Sequence, residues 1–565
     1  MITSEEKTKC FGYRGTGYFA NVENNIISTG IDKEAFFRLS PISAVDAGGE
    51  KDEEIALSPP EVKKDGDGTT VVWGAKSTLW DKKEYVFRFT PECATYSVRV
   101  YGNGAVDGID FFTGDRKERF YGSGYDAADY MAPLGLANST LHDRIFSTAE
   151  ETYLGFSLPG GFSPVPLAFS FRMEGADGRF LLGLSALPGN CSFDGLTYKC
   201  AMLGLDISRF YLRSGFGGCQ EVDGFWESPS IILLTADTDI DCMRRYAEWH
   251  YDRGVPRAVV GDIPKWWRGP FYCGWKEQAV APGYESIFDA ANQDCYQRMA
   301  DTLDERGLRP SAIIIDDKWQ KEYGTATPDE NKWSDMRAFI DGQHAKGRRV
   351  VLWFKSWNPE GLPDDECVLS ETGQKLSLDP TAPAYRARVR DLMHTLLSAD
   401  DGCMNADGFK IDSIIRIPLE RNMKIHEKGY YGVSLLYRFM ELLYTEAKRV
   451  KPDVLMNNSC CHPLLAAFTD QARLHDTHFA LRDSVRMMRE RAELFDAMMP
   501  GISIDTDAGS GGTRRDFMRY ARESRSFGVP DIYVLNPIED SAVTAEDWEE
   551  IRLIWEDYRR ENGLG

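Results

Sequence analysis

The segment Gly408-Phe409-Lys410-Ile411-Asp412-Ser413 decides the fold that the sequence predicts. Phe409 and Ile411 are apolar and flank a lysine, which is the pattern of a short buried strand. Because successive side chains of a strand point to opposite sides, Lys410 and Asp412 should project to the same side at its carboxyl end. In a barrel of parallel strands the chemistry takes place at that end. A carboxylate beside an ammonium group is expected to stay ionised and able to attack.

A strand-end aspartate also has a simpler role, which is to cap the following helix. The number of similar strands in the chain favours the first interpretation. Eight strand candidates occur, at residues 271–275, 312–317, 349–354, 408–412, 453–458, 472–476, 501–505 and 531–535. Helical stretches separate several of them. Eight such alternations predict an α/β fold, a TIM (β/α)8 barrel.

The first part of the chain has a different pattern. Short apolar or alternating segments such as Thr70–Trp73, Tyr85–Phe89 and Tyr96–Gly102 are separated by Gly, Asp and Pro turns. Many short strands with turns between them are typical of a β-sandwich. The length of 565 residues also exceeds that of one ordinary domain. We therefore predict an N-terminal β-sandwich domain at 1–250 and a catalytic barrel domain at 251–565.

Composition limits the partners of the protein. A formal net charge of −22 argues against binding to nucleic acid or to an anionic membrane surface. The sequence has no apolar run long enough to cross a bilayer and no signal pattern at Met1–Lys7. The 12 cysteines are scattered, which fits reduced thiols rather than a disulfide framework. We expect a cytoplasmic protein, and a homo-oligomer on the base rate for soluble enzymes.

Polar residues collect where the predicted strands end. In chain order these are Asp316 and Asp317, Trp353 and Lys355, Lys410 and Asp412, Arg473 and Asp476, and Asp505 and Asp507. Apolar layers fill a barrel interior, so aspartates at successive strand ends must face the mouth. Carboxylates accept hydrogen bonds from neighbouring hydroxyls, and tryptophan faces cover the CH patches of a sugar ring. The pattern therefore predicts a sugar-binding pocket.

Two of these carboxylates are candidates for the reaction itself. Retaining glycosidases use a nucleophile and an acid/base carboxyl group about 5–5.5 Å apart. Asp412 suits the nucleophile because Lys410 is close in sequence. Asp476 suits the acid/base, and burial against aromatic side chains is expected to favour its protonated form.

A metal site is the main competing use of the same residues. Asp412, His475 and Asp476 contain suitable ligands, but no H-x-H or H-E-x-x-H spacing occurs. A Ser or Cys nucleophile within 459–462 is explained more simply by loop packing, with Cys460 lining the pocket instead. We expect neither a metal nor a cofactor.

These strand ends resemble the clan of retaining α-glycoside hydrolases that contains families 27, 31 and 36, and they are most similar to family 36. Gly408–Asp412 matches the K-x-D nucleophile motif, and Ile315–Gln320 is similar to D-D-G-W-Q with Lys318 in place of glycine. Leu352–Lys355 is similar to L-W-x-x-P-E but departs from it at Lys355. Residues 457–461 replace a C-x-S-G-G loop without its glycines, and residues 473–476 stand at the acid/base position.

The resemblance implies a retaining exo-α-glycosidase that acts on an oligosaccharide or glycoside, with an α-galactoside as the first expectation. Asp412 would be the nucleophile and Asp476 the acid/base. The expected substrate contacts are Asp316, Asp317, Lys410, Arg473, Trp275, Trp319, Trp353, Lys355 and Cys460. Two alternatives stay open. One is an α-glucosidase or transglycosylase acting on α-glucosides or a modified sugar, and the other is a non-catalytic carbohydrate-binding relative.

Overall fold

The computed structural model describes most of the chain. The described residues are 11–23, 25–32, 34–115, 123–125, 133–135, 164, 167–171, 177–203, 206–474, 484–507, 513–535 and 543–564. Within them an antiparallel region comes first and a parallel barrel follows.

The N-terminal region contains seventeen described strands, which form one hydrogen-bonded network. They are β1 (Phe11–Arg14), β2 (Phe19–Glu23), β3 (Ile26–Ile31), β4 (Glu34–Leu39), β5 (Ala44–Ala47), β6 (Glu54–Leu57), β7 (Glu61–Asp65), β8 (Gly68–Ser77), β9 (Lys82–Phe89), β10 (Ala94–Phe111), β11 (Ser123–Tyr125), β12 (Pro133–Gly135), β13 (Ala168–Phe171), β14 (Arg179–Leu184), β15 (Thr197–Leu203), β16 (Asp206–Glu227) and β17 (Ile231–Ala236). The long strands β10 and β16 pair in antiparallel register, with a shift between Val106 and Gly108.

Side-chain alternation explains why these segments form strands with one buried face. Along β8, buried Val71, Trp73 and Ala75 alternate with half-buried neighbours, the period-two pattern of a sheet with one covered side. Fully buried rings such as Phe37 and Phe87 then contribute large apolar areas to the core. The antiparallel arrangement fits the predicted sandwich.

The barrel follows after a helix and a linker. Its segment of the chain contains β18 (Phe271–Cys273), β19 (Ala312–Ile315), β20 (Arg349–Lys355), β21 (Cys367–Leu369), β22 (Lys375–Leu378), β23 (Gly408–Asp412), β24 (Leu455–Asn458), β25 (Gln471–Arg473), β26 (Ser503–Asp505) and β27 (Asp531–Ile532). Strands β21 and β22 form a separate antiparallel pair, and the other eight form one parallel sheet. Strand β27 pairs with β18, and a parallel bridge from Asp505 to Val529 nearly closes the circle. The predicted eight-stranded barrel is confirmed.

Helices surround the barrel, and their ends follow ordinary capping rules. The described helices are α1 (Asp239–Tyr251), α2 (Trp275–Val280), α3 (Gln293–Glu305), α4 (Met336–Ala345), α5 (Pro383–Leu397), α6 (Val433–Val450), α7 (Ser484–Met498), α8 (Arg514–Glu523) and α9 (Ala545–Glu561). Thr513 and Thr544 begin α8 and α9 with reciprocal capping boxes, which satisfy otherwise unpaired backbone N–H groups. In the described ranges no helix combines the length and apolar character that a membrane crossing needs.

Helix α1 joins the two regions, since it packs against β14 and β17 on one side and against α7 on the other. The backbone N–H of Ala186 donates to Nε2 of His250 (3.1 Å), whose Nδ1 therefore carries the proton donated to the Tyr246 carbonyl oxygen (2.8 Å). The Tyr246 hydroxyl lies 3.0 Å from Nε2 of His462. Burial lowers the pKa of His250 to about 4 and that of His462 well below its usual range. The junction therefore contains two neutral histidines.

Candidate active site

The carboxyl ends of the barrel strands converge on a group of polar side chains that we call the mouth cluster. Its members are Cys273, Asp316, Lys410, Asp412, Arg473, Asp505, Asp507, Asp531 and Tyr533. They come from strands β18, β19, β23, β25, β26 and β27 or from the residues directly after them. The barrel geometry therefore brings together residues that are far apart in the chain.

Lys410 extends from β23 to side chains that directly follow β19 and β27. Its ammonium nitrogen lies 2.9 Å from Oδ2 of Asp316 and donates to the Tyr533 hydroxyl, also at 2.9 Å. The Cys273 thiol donates to the same Asp316 oxygen (3.0 Å). Burial disfavours the ammonium, but Asp316 and its neighbours outweigh that effect and hold the pKa of Lys410 well above its usual value. Lys410 is therefore a fixed, permanent cation.

Asp412 is held at both of its carboxylate oxygens. Nη2 of Arg473 lies 2.7 Å from Oδ1, and Nε1 of Trp353 donates to Oδ2 at 3.2 Å. The Asp412 side chain is still 24% exposed, whereas that of Arg473 is 1% exposed. A charged, oriented carboxylate that reaches solvent is what nucleophilic attack requires.

This geometry corrects the expectation that Lys410 is the cation beside Asp412. Side chains two positions apart on a strand leave the backbone about 7 Å from each other, and nothing bends them together. Lys410 extends instead to Asp316 and Tyr533, and Arg473 from β25 is the cation that contacts Asp412.

Asp507 and Tyr533 complete a hydrogen-bonded path through the cluster. Nη1 of Arg473 lies 2.9 Å from Oδ2 of Asp507, and the Tyr533 hydroxyl donates to the other Asp507 oxygen. The path therefore runs from Lys410 through Tyr533, Asp507 and Arg473 to Asp412. Sequence reasoning placed Asp507 at a strand end but missed Tyr533. Its position two residues after Asp531, on the same face of the predicted strand, was the available signal.

Two further carboxyl groups lie beneath this path. Asp505 accepts from Nδ2 of Asn457 (2.7 Å) and from the backbone N–H of Asp507 (2.9 Å). Asp531 is fully buried, and neither of its carboxyl oxygens has a hydrogen-bond partner in the described part of the chain. Burial, then Asp505 and Asp507, raise the pKa of Asp531 well above its usual value. This shift favours the protonated, uncharged form of Asp531.

Asp317 lies at the rim with a tyrosine and two lysines. The Tyr323 hydroxyl donates to Oδ1 of Asp317 (2.8 Å), and burial raises the pKa of Asp317 to about 6. The ammonium groups of Lys355 and Lys318 lie 3.8 Å and 4.3 Å from the centre of the Tyr323 ring. Lys318 also pairs with Glu360, but Lys355 has no hydrogen-bond acceptor or ion-pair partner among the described residues.

The remaining predicted contacts divide into two groups. Trp353 contacts Asp412, and half-buried Trp275 follows Cys273 and lies near Phe288, with 6.2 Å between ring centroids. Trp319 and Cys460 are fully buried in the core, so the structure gives no support to their predicted pocket-lining roles. Trp319 donates from Nε1 to the carbonyl oxygen of Trp353 (2.7 Å) and so holds the residue that contacts Asp412.

The predicted acid/base Asp476 lies outside the described residues, as does His475 of the metal alternative. Within the described ranges no group of three or more His, Cys, Asp or Glu side chains is arranged to hold a metal ion.

No protein-family model matches the sequence, and a search among curated proteins gives no significant match. Solved structures do match in fold. A GH31 family sulfoquinovosidase from E. rectale matches with a TM-score of 0.56 at 11% identity, over 95% of this chain and 82% of its own. A cycloalternan-forming enzyme from Listeria monocytogenes matches at 0.54 and 10% identity, over 96% of this chain and 57% of its own. A GH31 dextranase from Flavobacterium johnsoniae matches at 0.50 and 10% identity, over 97% of this chain and 67% of its own.

Two of these three structures are GH31 enzymes, whereas the sequence motifs pointed to family 36. This chain spans little more than half of the cycloalternan-forming enzyme. At 10–11% identity these likenesses establish the fold alone. The described residues share the barrel and the preceding β-rich region with these structures.

Proposed function

We propose that this protein is a retaining α-glycoside hydrolase that removes a terminal α-linked sugar, with Asp412 as its nucleophile. The observation that carries the proposal is the Asp412 carboxylate, which is oriented by Arg473 and Trp353 and still open to solvent. The fold likeness to a sulfoquinovosidase and a dextranase supports action on a glycoside.

The reaction proceeds in two displacements. An Asp412 oxygen attacks the anomeric carbon and forms an ester bond, while the glycosidic C–O bond breaks and the leaving oxygen takes a proton from Asp476. Asp476 then removes a proton from water, which attacks the same carbon. The ester bond breaks and returns the electron pair to Asp412. In this proposal the acid/base role of Asp476 rests only on its position in the sequence motif.

The other predicted residues hold the sugar. Asp316 and Lys410 form a rigid donor and acceptor pair at the floor, and Asp317 stands at the rim. This pair is the basis for an α-galactoside as the first glycone to test, and the fold comparisons do not support that choice over α-glucosides or α-xylosides. No cofactor takes part in the proposed steps.

A second candidate glycone is a sugar with an anionic substituent. The observation that favours it is Lys355, which is the backbone register partner of Asp412 in the β20–β23 pair. Its ammonium lies over the Tyr323 ring and has no hydrogen-bond or ion-pair partner among the described residues. A half-buried ammonium gains most from an anionic acceptor, because charge-assisted hydrogen bonds are the strongest ones. The neighbouring carboxylates oppose an anion elsewhere in the pocket, so the substituent must contact Lys355 directly.

The test is hydrolysis of aryl α-glycosides by the wild type, Asp412→Asn and the control Asp470→Asn. The panel contains the galactoside, glucoside, xyloside, N-acetylgalactosaminide and glucuronide. Asp470 is also a buried barrel carboxylate, but it pairs with Lys448, away from the mouth cluster. We expect Asp412→Asn to lower kcat by about 1,000-fold or more, because the nucleophile is lost. The control should keep the wild-type kcat.

Stereochemistry provides the second readout. NMR of the first-formed product should show the α-anomer, and Asp412→Ala with azide should form a β-glycosyl azide. A β-anomer product from the wild type, or an Asp412→Asn variant as active as the wild type, would contradict the proposal. If the wild type cleaves the glucuronide faster than the glucoside, and Lys355→Met loses this preference, the result would support the anionic glycone.

A further inference from the structure

We propose that Asp507 is a positioning residue for the nucleophile, which holds Arg473 in place and shares its positive charge so that Asp412 stays reactive. This inference rests on the proposed function and adds a residue that the sequence motifs did not assign a role. Asp507 has no exposed surface, so it acts through Arg473 and does not touch the sugar.

The guanidinium of Arg473 bridges the two carboxylates. Nη2 lies 2.7 Å from Oδ1 of Asp412, and Nη1 lies 2.9 Å from Oδ2 of Asp507. Because the guanidinium is planar and its donors have fixed directions, the position of Asp507 determines the direction in which Arg473 meets Asp412.

The charge of Asp412 changes during the proposed reaction, and this change gives Asp507 its purpose. Asp412 loses its negative charge when the ester bond forms. Ester formation therefore removes one anionic partner of the buried Arg473 guanidinium, and losing such a partner is strongly unfavourable for a buried cation. In this proposal the Asp507 carboxylate beside Nη1 remains as a counter-ion of Arg473 in the intermediate. A shared guanidinium also stabilises the Asp412 carboxylate less, which preserves its ability to attack.

Asp507 is itself held from two directions. The Tyr533 hydroxyl donates to its Oδ1, and its backbone N–H donates to Oδ1 of Asp505 (2.9 Å). Its φ of 45° lies in the left-handed region, which asparagine and aspartate tolerate better than other side chains. An Asp507→Asn variant therefore keeps the side-chain shape and the backbone conformation. It removes the charge and one of the two acceptor oxygens, which now receive hydrogen bonds from Arg473 and Tyr533.

The experiment measures pH profiles of kcat, at a saturating concentration of the best aryl glycoside, for the wild type, Asp507→Asn and Tyr533→Phe. For Asp507→Asn we expect kcat to fall by about 100-fold, because Arg473 is no longer held in place. We also expect the acidic limb of the pH profile to move to lower pH by about one unit, because Arg473 no longer shares its positive charge with Asp507. The control Asp470→Asn has the same charge change at another buried barrel site and should leave the limb in place.

Tyr533→Phe should shift the acidic limb of the pH profile in the opposite direction. This variant still tests the proposal if Asp507→Asn fails to fold. Without the tyrosine donor, Asp507 pairs more strongly with Arg473, so the acidic limb should move to higher pH, by less than one unit. A folded Asp507→Asn with wild-type kcat, or with a lower kcat and an unmoved limb, would assign Asp507 a merely structural role. If only Tyr533→Phe folds, an acidic limb that does not move in this variant would also assign Asp507 a merely structural role.

The result is separable from the proposed function. If Asp412→Asn abolishes hydrolysis and Asp507→Asn does not move the limb, the nucleophile assignment stands and only the inference about Asp507 fails. If Asp412→Asn retains full activity, both fail together.

Discussion

Two regions of the molecule bury a lysine among carboxylates and a tyrosine, and only one of them has the features of an active site. In the N-terminal region, Nζ of Lys83 lies 2.6 Å from Oδ2 of Asp52, and the Tyr85 hydroxyl donates to Oε2 of Glu54 (2.6 Å). We call these residues, with Ser43, the sandwich cluster. All of them are buried.

The mouth cluster has the same kinds of groups in a different position. Lys410 pairs with Asp316 and Tyr533 as Lys83 pairs with Asp52, but the mouth cluster lies at the carboxyl ends of parallel strands and opens to solvent at Asp412. The sandwich cluster instead links β9 to the segment from β5 to β6. A buried ion pair by itself therefore indicates only a structural role. Its position in the fold determines whether it also takes part in a reaction.

The largest expected effect is on activity, in the mouth cluster. Lys410→Met leaves Asp316 without its cation and Tyr533 without its donor, so kcat/KM should fall by about 100- to 1,000-fold. Steady-state kinetics on the folded protein, with circular dichroism as the check on folding, measures it. A variant within threefold of the wild type would make this lysine structural, like Lys83.

The matched substitution in the sandwich cluster should affect stability instead. Lys83→Met removes the cation that lies 2.6 Å from the buried Asp52 carboxylate, and breaking such a pair costs about 3–5 kcal/mol of unfolding free energy. Urea unfolding measures the loss, and kcat/KM of the folded fraction should equal that of the wild type. Loss of activity in a folded Lys83→Met would remove the contrast between the two clusters.

The junction between the regions should make the protein sensitive to acid. The pKa of His250 is about 4 in the folded protein, below the ordinary value of 6.5, so the unfolded chain binds the proton first as the pH falls. This contribution to stability is complete above about pH 6.5 and is lost between there and pH 4, by about 3 kcal/mol. Thermal unfolding from pH 7.5 to 4.5 should show a flatter decline in His250→Gln than in the wild type. Equal slopes would show that other groups dominate acid unfolding.

The smallest expected effect concerns the rim of the mouth cluster. Asp317 has a pKa of about 6, so it is ionised at pH 7.5 and protonated at pH 5. A charged carboxylate accepts stronger hydrogen bonds from hydroxyls, so KM should rise by about tenfold over that interval. Asp317→Asn should show a raised KM that no longer varies over this interval. A wild-type KM that stays constant from pH 7.5 to 5 would exclude Asp317 as a charged hydroxyl acceptor.

The sequence predicted the bounds of single strands better than it predicted which side chains pair between strands. Strand β23 has the predicted bounds 408–412, because its apolar residues and its strand-end aspartate agree on one pattern. Strand β27 was predicted over 531–535 but ends at Ile532, since the chain stops pairing where Tyr533 turns toward the cluster. The cytoplasmic location, the homo-oligomer and the domain boundary at residue 250 stay predictions.

By itself the sequence determined the barrel, the β-rich region before it and the side chains that stand at the strand ends, because these depend on local periodicity and chain order. Only the tertiary structure decided which cation meets which carboxylate. Lys410 and Asp316 are separated by 94 positions and Arg473 and Asp412 by 61, and no local pattern encodes such pairs. Barrel closure sets those distances, and burial then determines which carboxyl groups keep their charge.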